Sequence, residues 1–216
     1  MKKGLKMQNQ HIRHSKYGTP FHAGKRKKRI VIGGDPHSGK STFMVLLKRD
    51  LKEKGIDVDL IDLDYSSPTT EWLEGKESVR SGKRPWTPGL AQQAREDFRR
   101  VSRKNDLTLG DTPGRVTNVT RTIVKGAHGA IILARDETAK HRWIRFFSHK
   151  RIPVITIINT KLTKGLNWFS PKTDRGNITN LDRDDLRAGR INSDNVVIEG
   201  VSFEIAQFFG YTFRTR

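Results

Sequence analysis

Residues 29–51 read "RIVIGGDPHSGKSTFMVLLKRDL". A short apolar run (29–33) breaks into a glycine-rich stretch and then enters a segment with helical periodicity. Phe43, Leu46, Leu47 and Leu51 recur at three- and four-residue steps, which gives an expected helix over 40–54 one inward face. Gly55 is placed to end it.

The break satisfies G-x-x-x-x-G-K-[ST] at every position, as Gly34-Asp35-Pro36-His37-Ser38-Gly39-Lys40-Ser41. Gly34 and Gly39 permit a tight main-chain turn, so that successive backbone N–H groups converge on an anion. The helix that follows adds its unpaired N–H groups and the positive end of its dipole. Lys40 supplies a point charge for the outer phosphates, Ser41 a hydroxyl for Mg²⁺, and Thr42 a contact to an inner phosphate. The motif predicts a site for a nucleoside triphosphate with Mg²⁺.

Working outward, short runs of Ile, Val and Leu alternate with longer helical stretches. Strands are expected at 29–33, 57–63, 106–111, 129–135, 153–159 and 195–200. Helices are expected at about 40–54, 89–104, 116–127, 137–149 and 202–209. Nearly continuous apolar strands imply burial on both faces. The fold class expected is therefore α/β: a three-layer P-loop NTPase with a mainly parallel sheet flanked by helices. Two stretches, 65–88 and 162–194, exceed ordinary connection lengths and read as functional loops.

A metal-binding phosphate loop needs a carboxylate at the end of a second strand. "DLTLGDTPGR" supplies Asp111 to orient Mg²⁺, and Gly114 leaves a backbone N–H able to approach a terminal phosphate. "DLIDLDYSS" ends the strand after the first helix with Asp62 and Asp64 on one face. Either would take a proton from an attacking hydroxyl or water, with Asp62 placed ahead of Asp64. The expected catalytic set is Lys40, Asp62, Asp64 and Asp111, with Ser41 and Asp111 on the metal. Guanine selectivity would call for Asn-Lys-x-Asp after a late strand. The chain has Asn159-Thr160-Lys161-Leu162 there, without the carboxylate, so ATP is favoured and GTP is the alternative.

"IVIGGDPHSGKS", "DTPG", "AHGAIILARDE", "RWIRFF" and "PVITIIN" together resemble the P-loop half of the CRISPR-associated ring-nuclease fusion proteins, over residues 29 to 160. The resemblance implies an ATPase or kinase-like domain, with Gly34 to Thr42 as phosphate loop and Asp111 as the metal-side acid. The family's small nuclease domain is absent and "DYSSPTTEW", ending at Trp72, departs from its pattern. Nuclease activity and cyclic-nucleotide binding therefore do not carry over. A weaker likeness is to the RNA-end polynucleotide kinases, through "SGKST" and the Asp62-x-Asp64 pair. Both place the Asp111 strand beside the phosphate-loop strand.

The formal net charge is +19. Ten Lys or Arg and no acid fall within residues 1–30, so residues 1–28 are expected to form a flexible basic arm before a single domain over 29–216. With "RRVSRK" at 99–104, the arm suggests sequence-independent contact with nucleic acid. "RSGKRPW" at 80–86 would serve as a basic loop or lid over the phosphates, and Trp72 and Trp86 would pack it down or stack on a base. No apolar run reaches the roughly 20 residues that span a bilayer, and the absence of cysteine suits a reducing, cytoplasmic setting. The functional expectation is Mg²⁺-dependent hydrolysis of a nucleoside triphosphate or transfer of its terminal phosphate. A nucleotide-dependent switch with little turnover is the alternative, and a homodimer is an assembly that would complete such a site.

Overall fold

The computed structural model describes residues 27–65, 85–101, 105–161, 165–179, 181–188, 190–191 and 195–213. In chain order the elements are β1 (Lys28–Gly34), α1 (Lys40–Glu53), β2 (Val58–Asp62), α2 (Pro88–Val101), β3 (Leu107–Asp111), α3 (Asn118–Ile123) and β4 (Gly129–Ala134). They continue with α4 (Glu137–His149), β5 (Val154–Lys161), β6 (Trp168–Ser170), β7 (Arg175–Thr179), α5 (Arg183–Arg187) and α6 (Val196–Phe209). The strands form one seven-stranded sheet in the order β2-β3-β1-β4-β5-β7-β6. Every pair is parallel except β6 with β7.

Alternation along the strands explains the near-continuous apolar runs. Ile30 and Ile32 of β1 and Ile131 and Leu133 of β4 join one core, closed by α1 and α6. Val31, Ala130, Ile132 and Ala134 face the other core, closed by α2, α3 and α4. Apolar residues are needed on both sides because helices cover both faces. The three-layer P-loop NTPase fold is thus the one formed, and the Asp111 strand does lie beside β1.

The register aligns the chemistry. Ile32 of β1 pairs with Asp111 of β3, and Asp62 of β2 pairs with the same Asp111. β2 and β3 therefore finish level at the carboxyl edge of the sheet, and β1 runs on from there to Gly34 and the bend. Ligands of open α/β sheets collect at that edge, where the chain crosses from one side of β1 to the other.

Three expectations need correction. "NVVIEG" at 195–200 is not a strand: Asn195 is an N-cap whose side chain accepts the Val197 N–H at 2.9 Å, and Val196–Phe209 is one helix. The apolar run of Val196, Val197 and Ile198 is too short to distinguish a buried helix turn from a strand by periodicity. The stretch 162–194 is not a structureless loop, since it contributes β6, β7 and α5. β7, with the sequence Arg-Gly-Asn-Ile-Thr, carries too few apolar residues to announce itself, and is held by pairing with β5. The helix expected over 116–127 is only Asn118–Ile123. Within the 65–88 stretch, residues 66–84 lie outside the described residues, as do Trp72, Arg80, Lys83 and Arg84 with them, and the arm over 1–26. Trp86 is partly buried and packs against the α2–α4 side of the core.

Candidate functional site

Between β1 and α1 the main chain makes its turn with left-handed backbone at His37 (φ 61°) and Gly39 (φ 81°). The Ser38 N–H donates to the Asp35 carbonyl at 3.2 Å and closes the bend. Gly34 is required by proximity, because a Cβ there would stand 2.3 Å from the Leu133 carbonyl oxygen and 2.7 Å from Ser38 Oγ. Gly39 is the N-cap of α1, and no side chain caps the helix. Lys40, Ser41 and Thr42, its first three residues, are nevertheless buried. A buried helix start without a side-chain cap leaves donors for a ligand to satisfy.

Lys40 arches back over the loop. Its Nζ donates to the carbonyls of Gly34 at 3.1 Å and Asp35 at 3.2 Å, which holds the ammonium above the bend. Ser41 donates its hydroxyl to Asp111 Oδ2 at 2.5 Å. Burial pushes the Asp111 carboxyl above the usual carboxylate range, while the Lys40 ammonium and the Ser41 hydroxyl pull it back. A buried acid in that balance gains most from a cation brought to it.

Three oxygens around the bend, Ser38 Oγ, Thr42 Oγ1 and Asp111 Oδ1, are buried with no hydrogen-bond partner among the described residues. Buried polar atoms are normally satisfied, so three orphans on one loop and its facing strand need a cause. A phosphate group with hydrated Mg²⁺ accounts for them: two hydroxyls would donate to phosphate oxygens, and one carboxylate oxygen would accept from metal-bound water. Ser41 and Asp111 are the residues that would hold the metal. Among the described residues no cluster of three His, Asp or Glu could hold a metal ion by itself.

The remaining expected residues divide. Gly114 is at the site: a Cβ on it would lie 2.7 Å from Pro36 N, so the turn after β3 rests against the phosphate loop. Asp62 and Asp64 both lie at the end of the β2 segment. The Asp62 Oδ1 accepts the Asp64 N–H at 2.9 Å, whereas Asp64 is near enough to Asp111 to raise its pKa. Asp62, the register partner of Asp111, and Asp64, whose charge acts on it, thus both stand beside the metal-side acid. Asp35 contributes its carbonyl to the Lys40 bond, but its carboxylate turns away. Its Oδ2 accepts from Arg142 at 2.5 Å and its Oδ1 from the Trp143 indole at 3.0 Å.

Sequence reasoning missed five residues here. Arg142 and Trp143 of α4 clamp the loop through Asp35. Thr112 ties the turn after Asp111 to β1, donating from Oγ1 to the Ile32 carbonyl at 2.8 Å. Leu181, just past β7, covers the helix start, since a Cβ on Gly39 would be 2.7 Å from its Cδ1. Two residues on, the Arg183 guanidinium also lowers the pKa of Asp111. Only Thr112, next to the acid, carried a local signal; the others depend on strand and helix placement. Leu162, on which base selectivity turned, lies outside the described residues.

No protein-family model matches the chain, and no curated protein matches it in sequence. The fold recurs among solved P-loop ATPases of the MinD and McdA kind. The septum site-determining protein MinD of Pyrococcus horikoshii, in complex with Mg-ADP, shares 13% identity. The match covers 85% of this chain and 97% of that one, with a TM-score of 0.64. The cell division ATPase MinD of Pyrococcus furiosus matches at 11% identity over 85% of this chain and 100% of its own, also with a TM-score of 0.64. A point variant of Cyanothece McdA in complex with ATP matches at 14% identity, 89% and 100% coverage and a TM-score of 0.61. At such identities the likeness is one of fold.

Proposed function

We propose that the chain is a Mg²⁺-dependent P-loop ATPase. The observation that carries this reading is the 2.5 Å bond from Ser41 to Asp111, made beneath a lysine arched over an uncapped helix start. Lys40 and the free backbone N–H groups of the loop between Gly34 and Thr42 would bind the phosphates, with Gly114 at the rim. Ser41 and Asp111 would hold Mg²⁺, which supplies charge neutralisation at the transferring phosphate when bound. Asp62 or Asp64 would take the proton of the attacking water. Structures of the same fold were determined with Mg-ADP and with ATP, which supports this choice of ligand.

ATP over GTP rests on Leu162 standing where a guanine-reading carboxylate would be. Phosphoryl transfer to an acceptor, in place of water, is a variant of the same chemistry that the same residues would serve. Contact with nucleic acid, through the basic arm, and a homodimer belong to the same proposal.

Release of phosphate from γ-labelled ATP and GTP, with and without Mg²⁺, tests it. The expected result is Mg²⁺-dependent release from ATP, abolished in Lys40→Ala. Hydrolysis by Lys40→Ala at the wild-type rate would refute the site, and label passing to an acceptor would select the kinase form.

A further inference from the structure

A cleft of about 860 Å³ runs alongside α4, on the side where the turn into α3 approaches it. Val116 and Phe146 line it, and its other walls carry Arg121, Arg142, Arg145 and Lys150, with two histidines between them. Among the described residues, no carboxylate lines it. From Thr138 to His149 the lining residues of α4 follow at helical spacing, so they form one stripe roughly 16 Å long at ~1.5 Å per residue. Neither Arg145 nor Lys150 has a carboxylate partner among the described residues. Like charges left unpaired along a cleft focus a positive field and attract an anion.

The chemistry of the walls narrows the choice of anion. Phe146 is only 5% exposed, so the cleft offers no aromatic platform or deep apolar hole for the anchor on which a peptide ligand depends. Recognition falls on charge spread over a length. That fits a phosphodiester backbone, with a few successive phosphates of one strand following the stripe. The chain's own arm is strongly basic and is excluded as an occupant by charge.

We propose that this cleft binds the phosphate backbone of nucleic acid and reports its occupancy to the phosphate loop through Arg142. Arg142 belongs to both places: it lines the cleft, and its guanidinium donates to Asp35 Oδ2 at 2.5 Å. A phosphate in the cleft competes with Asp35 for that guanidinium and leaves the loop held from this side by Trp143 alone. Nucleic acid therefore loosens the loop and lowers its affinity for nucleotide, and by linkage nucleotide lowers the affinity for nucleic acid. This second half rests on the nucleotide reading above; the first does not.

The test uses the full chain and a 5′-labelled 20-nucleotide oligothymidylate followed by fluorescence anisotropy over a salt series. The comparison is with the double variant Arg145→Gln/Lys150→Gln, of an exposed and a half-exposed side chain. Two lost phosphate contacts should reduce the slope of log K against log salt by about 1.4 and weaken binding roughly tenfold at moderate salt. Equal slopes would overturn the cleft as the binding surface and assign binding to the arm. Absence of wild-type binding, or displacement by a polyglutamate peptide more readily than by unlabelled oligonucleotide, would overturn it too. In parallel, saturating oligonucleotide should lower wild-type affinity for a fluorescent ATP analogue several-fold and leave that of the double variant unchanged. An unaltered wild-type affinity would remove the link through Arg142. A chain that takes up no nucleotide under any condition would sink the nucleotide reading and the link, while the anisotropy series still decides the cleft.

Discussion

Ser41 and Asp111 are 70 residues apart in the chain and 2.5 Å apart in space. The hydroxyl comes from the second residue of α1 and the carboxylate from the last residue of β3, on the strand next to the one that launches the phosphate loop. Neither residue is unusual alone. Together they offer a hard divalent cation two oxygens beside an uncapped helix start.

Asp111→Asn should separate binding of the metal from binding of the phosphates. The amide keeps the shape and an acceptor for Ser41 but loses the charge that orients hydrated Mg²⁺. Hydrolysis should fall roughly 100-fold or more, and ATP uptake should lose its dependence on Mg²⁺. Isothermal titration with ATP, at zero and at millimolar Mg²⁺, reads this directly. A variant that keeps the full Mg²⁺ effect would take Asp111 out of the metal site.

Asp35→Ala probes the clamp from α4. The change removes both acceptors at once and leaves the indole N–H of fully buried Trp143 without its partner. A buried donor left unsatisfied costs about 1–3 kcal/mol. Urea unfolding should show a loss of that size, and nucleotide affinity should drop because the loop is no longer held on that side. Asp35→Asn, which retains one acceptor for the indole, should lose less of both.

Gly33→Ala should weaken the fold through packing alone. A Cβ at Gly33 would lie 2.7 Å from Phe147 Cε2 and 2.8 Å from Trp143 Cε3, where two aromatic rings already fill the space over β1. Overpacking of this kind costs about 1–3 kcal/mol. Thermal unfolding should therefore shift down by several degrees. Saturation with Mg-ATP should restore part of the shift, because binding favours the folded chain.

Glu204 supplies a pH dependence of stability far from the phosphate loop. Burial, together with the nearby carboxylate of Asp174, pushes its carboxyl up to about 7. The folded chain thus holds a proton that the unfolded chain releases at an ordinary glutamate value. The stability from this protonated pair is complete below that ordinary value and is lost as pH rises through about 7. Glu204→Gln keeps a neutral donor at every pH. Its melting temperature should match the wild type near pH 5 and exceed it near pH 8. The margin, with solvent screening of a half-buried group, corresponds to about 1 kcal/mol. Parallel curves across that range would show that Glu204 titrates normally.

Much of this molecule was legible in the sequence alone. The spacing of Gly34, Gly39, Lys40 and Ser41 specifies a phosphate loop because each constraint acts within eight consecutive residues. The doubly apolar runs of β1, β4 and β5 announced a sheet covered on both faces for the same local reason. Misreadings occurred where the local signal is degenerate or weak. Val196, Val197 and Ile198 look equally suited to a strand or a buried helix, and the polar sequence of β7 carries little strand signal until β5 pairs with it.

Short-range pattern was thus enough to specify the class of fold, the tight bend between β1 and α1 and the strand-end acid beside it. Long-range packing settled what those residues face. It turned the Asp35 carboxylate toward Arg142 and Trp143, brought Leu181 against Gly39, and set Asp62 level with Asp111 on the neighbouring strand. The reason is that each such partnership joins segments distant in the chain. Their meeting depends on strand order and crossover direction, which no window of neighbouring residues contains.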